Sequence, residues 1–157
     1  MSRMGVVRRR VEAPVEDVWA TLSDGWLYPL FVVGASRMRE VDDGWPAVGT
    51  ELHHSFGAWP ALVDDTTEVL QAVPPTMLRL VARGRPGGEA TVLFVLHEVD
   101  GGTEVVLEED VSAGPARLIP KVLRDPAVKY RNTETLRRLA FVVERRTAPG
   151  DTSDHTP

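Results

Sequence analysis

The chain has 157 residues, 43% of them apolar and 26% charged, with no cysteine and a formal charge of −5. That size suits one globular domain with a proper core, and the lack of cysteine excludes a disulfide framework, a thiol nucleophile and a thiolate metal site. The acidic balance speaks against nucleic acid or an anionic membrane as the main partner, and no apolar run approaches the ~18 residues of a membrane span.

The opening "MSRMGVVRRR" is basic but has no apolar stretch ahead of a cleavage site, so no secretory signal is expected and a cytoplasmic location fits. Gly5 to Glu12 reads as a strand with Val7, Arg9 and Val11 on one face. "APVEDVWATLSD" follows as a short helix. Pro14 suits its first position, Glu16 and Asp17 suit its positive end, and Val15, Val18, Trp19 and Leu22 form its apolar stripe. Asp24 is placed to cap a second short element, "GWLYPLFVVG", which Pro29 interrupts or bends.

Helical periodicity then gives way to six strands: "SRMREVD", "TELHHSF", "ALVDDTTEVLQAV", "TMLRLVAR", "EATVLFVLHEV" and "TEVVLEEDVS". The stretches between them, "DGWPAVG", "GAWP", "PP", "GRPGG" and "DGG", are rich in turn formers. Connections this short imply an antiparallel meander. A long amphipathic helix closes the fold, clearest from Asp125 to Arg146, with Val128, Asn132, Leu136, Leu139, Ala140 and Val143 on one face. Pro115, Pro120 and Pro126 predict a loop or short turns over its approach. One domain, 1–146, is expected, followed by a disordered polar tail, 147–157, that contains His155.

A twisted sheet must cover its apolar concave face. Only the closing helix is long enough to lie across it, and one helix cannot fill a wide curved sheet, so a cavity is expected.

The element order, with "VEAPVEDVWATLSD" near the start, "DDTTEVLQAVPPTMLRL" as a strand–Pro-Pro–strand hairpin and "RDPAVKYRNTETLRRLAFVVERR" at the end, resembles the SRPBCC superfamily. That START-like, birch-pollen-allergen-like group includes polyketide cyclases and lipid carriers, and the resemblance spans Val6 to Arg146. It implies an α+β helix-grip fold, a seven-stranded antiparallel curved sheet wrapped around a long C-terminal helix with two short helices after the first strand. It also implies a hydrophobic or aromatic small-molecule ligand, and in some members cyclisation or aromatisation of polyketides. The motifs are packing and turn residues, and fold alone does not set chemistry. No cofactor is expected, and monomer and homodimer both stay open.

Strand alternation and the helix stripe predict a cavity lined by Leu78, Leu80, Val92, Phe94, Leu96, Val105, Leu107, Leu136 and Leu139. In "ELHHSF" the apolar Leu52 and Phe56 point inward and carry His54 with them; Val63, Asp65, Thr67 and Val69 share the inner face of the next strand. If Phe56 faces Val63, His54 sits opposite Asp65, while His53 and Asp64 face solvent. A His–carboxylate pair in an apolar cavity suits proton transfer; a structural pair lining the pocket is the alternative. A metal site fails on count, since zinc needs about three protein ligands and only one inner His and one inner Asp are at hand. Glu109 follows Val105 and Leu107 inward. Arg9 shares the inner parity of Val7 and Val11, so the two are candidates to pair across neighbouring first and last strands, or to reach water at the strand ends. Asn132 falls on the apolar helix stripe, where it bonds backbone or points at a ligand. Trp26, Tyr28, Phe31, Trp45 and Trp59 pack, or frame the cavity mouth.

Overall fold

The computed structural model describes residues 5–56, 60, 63–84 and 88–147, the side chains of Phe56 and Ala116 excepted. The turns expected around 57–62 and 85–87, Trp59, and the tail with His155 lie outside the described residues, except that Thr147 ends the last helix instead of starting the tail.

The first strand, β1 (Val7–Val11), leads into α1 (Val15–Leu22). Pro14 is the cap of α1, one place before its first turn, and its carbonyl accepts from the Asp17 and Val18 amides. Burial of Val15, Val18 and Leu22 docks the helix. The Asp24 side chain then accepts from the Trp26 amide, starting a 3-10 turn, Gly25–Leu27, that passes into α2 (Tyr28–Phe31). Pro29 falls in the first turn of α2, where its missing N–H costs nothing.

Six strands follow: β2 (Ala35–Val41), β3 (Glu51–Phe56), β4 (Val63–Val73), β5 (Met77–Gly84), β6 (Gly88–Val99) and β7 (Gly102–Ala113). All neighbours are antiparallel, in the order β1-β7-β6-β5-β4-β3-β2. The first and last strands therefore pair, Val7 opposite Leu107 and Val11 opposite Thr103. A bulge between Val69 and Gln71 turns Leu70 outward.

A second 3-10 turn, Pro115–Leu118, precedes α3 (Lys121–Thr147), 27 residues long. This corrects the expected approach: α3 starts four residues before Asp125 and contains Pro126. Pro126 removes only the bond to the Val122 carbonyl, in a stretch exposed to water, while the Pro120 carbonyl anchors the first turn by accepting from Leu123 and Arg124. No described helix is long and apolar enough to cross a membrane.

The arrangement is a helix-grip fold. α3 packs on β1 and β7 and on the two short helices, so it leans toward one margin of the sheet. Under its second half, Val11, Val18, Leu22, Leu78, Val105, Leu136 and Leu139 close into a solid core. Under its first half they do not.

Candidate functional site

A cavity of about 320 Å³ lies between the first half of α3 and the inner face of β3 to β7. Leu80, Val92, Phe94 and Leu107 line it as expected. Leu78, Leu96, Val105, Leu136 and Leu139 do not; each is at most 3% exposed and belongs to the core beneath the cavity floor. The tilt of α3 toward β1 and β7 separates the two groups, and strand parity carries no information about that tilt. Met38, Ala82, Ala90, Val111, Ile119 and Val128 complete most of the apolar wall.

The register at β3 and β4 places Phe56 opposite Val63 and His54 opposite Asp65. His54 and Asp65 are 8% and 6% exposed and both line the cavity, while Asp64 is exposed on the other face. The side chain of Phe56 is outside the described residues. The imidazole bonds Thr67, not the residue directly across: His54 Nε2 is 2.9 Å from Thr67 Oγ1. His54 Nδ1 is buried with no hydrogen-bond partner among the described residues. Burial holds the His54 pKa below the ordinary histidine value, with the charge of Asp65 opposing and those of Arg39 and His53 reinforcing the shift. The ring facing the cavity is therefore neutral at pH 7.

Two further residues with buried polar groups line the same space. Tyr28, 5% exposed, lines the cavity and packs against Phe31 and edge-on against Trp45, and its buried hydroxyl has no partner among the described residues. Burial pushes its phenol pKa up, so the hydroxyl keeps its proton. Asn132, 3% exposed, is likewise at the cavity, and its Nδ2 lacks a partner among the described residues. The other aromatics divide between roles, with Phe31 in the core, Trp45 donating to the Leu22 carbonyl and Trp26 mostly exposed.

Glu109 is buried in the wall, but its partner is Arg131 of α3. Arg9 is exposed and outside the cavity, opposite Val105. β1 is an edge strand, and a long side chain of inner parity there reaches past the sheet margin to water. Arg131 escaped the sequence argument, although Arg124, Val128, Arg131 and Thr135 recur at helical spacing and all line the cavity.

On the outer face, Asp42, Glu51 and His53 bring ligand-type atoms within 4.8 Å of one another. Alternation puts Glu51 and His53 on one side, but only the β2–β3 connection brings Asp42 to them. The Asp42 carboxylate is already engaged there, Oδ2 with the Glu51 amide at 3.0 Å and Oδ1 with His53 Nε2 at 3.1 Å. These bonds, the amide first, hold its pKa below the usual carboxylate value. They latch the connection, and no metal role is assigned to the group.

The sequence matches the family described as polyketide cyclase/dehydrase and lipid transport over residues 5–144. The chain belongs to that family. Among solved structures, a Rhodobacter sphaeroides protein is 26% identical with a TM-score of 0.69, the match covering 89% of this chain and 91% of that one. Protein NE0264 of Nitrosomonas europaea gives a TM-score of 0.72 at 17% identity, covering 92% and 96%. Ara h 8.0201 gives 0.66 at 14%, covering 89% and 96%. At under 25% identity the last two speak for fold alone. Among curated proteins, no sequence matches the chain. The polyketide cyclase/dehydrase and lipid-transport family thus fixes the scaffold, and the chemistry has to be argued from the cavity.

Proposed function

We propose that the protein binds a hydrophobic or aromatic small molecule, neutral and bearing oxygen, between its sheet and α3. One observation carries this: Tyr28, His54 and Asn132 all line one apolar cavity, and each carries a buried side-chain atom, Oη, Nδ1 and Nδ2 respectively, without a partner among the described residues. In a sealed core each would cost about 1–3 kcal/mol. In a ligand site, a few convergent polar groups on an apolar wall are what fixes orientation. The tyrosine hydroxyl and the asparagine amide can donate, and His54 can donate or accept according to tautomer. A volume of about 320 Å³ is at the small end of ligand pockets. The family's description, which includes lipid transport, agrees with an apolar ligand.

Native mass spectrometry should detect a co-purified neutral molecule, and calorimetry should give saturable binding of 2-naphthol. Tyr28→Phe and Asn132→Leu should each weaken 2-naphthol binding about tenfold while leaving stability unchanged or higher, since each removes an unsatisfied group. Little salt dependence is expected, because buried neutral contacts are not screened. No co-purified molecule and no saturable binding, or variants that bind as well as the parent, would count decisively against the proposal.

An enzymatic role, of cyclase or aromatase type, has one observation in its favour: a neutral imidazole with an unpartnered nitrogen beside Asp65 inside the cavity. Turnover of a true substrate would then fall by about 10²-fold or more in His54→Ala and in Asp65→Asn. The double variant would be little worse than either.

A further inference from the structure

The whole chain is acidic, but residues 115–131 reverse the sign, with Arg117, Lys121, Arg124, Lys129 and Arg131 against Asp125 alone. The same stretch exposes large apolar side chains: Leu118 85%, Val122 78%, Tyr130 77%, Leu123 67% and Ile119 47%. At 3.6 residues per turn, Val122, Leu123, Pro126, Ala127 and Tyr130 make one stripe, and all five are exposed. The cavity-facing stripe of Arg124, Val128, Arg131 and Asn132 lies on the opposite side of the helix. Covering a cavity requires only that inner stripe. The outer one needs a different partner.

We propose that the outward stripe of the first half of α3, with the preceding turn, docks the protein on an anionic lipid surface. Val122, Leu123 and Tyr130 would lie below the headgroups, and the exposed Arg117 of the preceding turn and Lys129 beside the stripe would meet the phosphates. The chain's overall acidity does not prevent this, because at physiological salt charges beyond about 8 Å are screened and the local cations dominate. A second copy of the chain is a poorer occupant. A two-fold contact sets the same patch against itself, so the flanking cations at the two ends would face cations. The stripe also borders the cavity rim, since Ile119 is both half-exposed and part of the wall. Docking there would set the cavity opening against the bilayer. It does not depend on what the cavity holds.

The test is flotation with vesicles of phosphatidylcholine, alone or mixed with phosphatidylserine. The protein should float with the mixed vesicles, and rising salt should release it. Val122→Ser with Leu123→Ser should lower vesicle affinity about tenfold or more, through lost apolar burial. Arg117→Glu with Lys129→Glu should abolish the preference for phosphatidylserine. These four residues are exposed and outside the cavity wall, so both variants should keep the parent's circular dichroism, melting temperature and 2-naphthol affinity. Wild-type protein that fails to float, floats equally with neutral vesicles, or is indifferent to the serine pair would overturn the proposal. So would a dimer in sedimentation that the serine pair dissolves, which would give the stripe to a second copy instead.

Discussion

At His54 burial and the charge of Asp65 pull against each other. Burial disfavours its protonated form and outweighs the attraction of Asp65, so its folded pKa lies below its unfolded one. Between those two values the unfolded chain binds more protons, and stability must fall as pH drops from about 6.5 toward the folded pKa. Denaturation measured from pH 7 to 5 should show this loss, and His54→Gln should flatten it. An unchanged slope in the variant would mean that the ring is not buried as described. The facing of His54 and Asp65 follows from the parity of Leu52, His54 and Phe56 against Val63, Asp65 and Thr67, and was legible in the sequence. The bond to Thr67 was not, because it depends on a side-chain torsion and parity fixes only the face. Arg131 in place of Arg9 beside Glu109 escaped for a related reason: it is set by how a helix lies on a sheet, which no single element encodes.

At the level of elements, the joint between β1 and β7 ties the first strand to the last and supports α3. Gly102 sits hard against the β1 backbone; a Cβ there would be 2.5 Å from the Val11 carbonyl oxygen. Backbone cannot swing aside as a side chain can, so Gly102→Ala should destabilise by about 2–3 kcal/mol, the scale of overpacking. A chemical denaturation midpoint unchanged from the parent would show that the joint has slack. The strands could be placed from alternation and turn chemistry alone. The start of α3 could not, because the first turns of a helix already have free N–H groups and a proline near them leaves only a weak signal. The second half of α3 was clear because its apolar stripe, from Leu136 to Val143, is buried against the solid core.

For the molecule as a whole, the charge of −5 conceals a division into a basic strip around the cavity rim and an acidic remainder. Composition averages over that division and carries no trace of the basic strip. The presence of a cavity was legible, because one helix cannot fill a curved sheet. Its position under only half of α3 was not, because that depends on the lean of the helix toward β1 and β7.

The strand order leaves β1 and β2 at the two ends of the described sheet. An open end presents unpaired amides and carbonyls that invite another chain to add a strand. Here β1 carries Arg8, Arg9 and Arg10, all exposed, and β2 carries exposed Arg37 and Arg39 together with two register irregularities. Like charges brought edge to edge repel, and an irregular edge cannot be extended in register. The run of three arginines is therefore expected to oppose strand addition at this edge, with Arg9 the member that carries no carboxylate partner among the described residues. Arg9→Thr with Arg37→Thr should leave the unfolding midpoint close to the parent's. Light scattering on heating should nonetheless rise earlier and faster. If the double variant stays as clear as the parent, the arginines are not what keeps these edges apart.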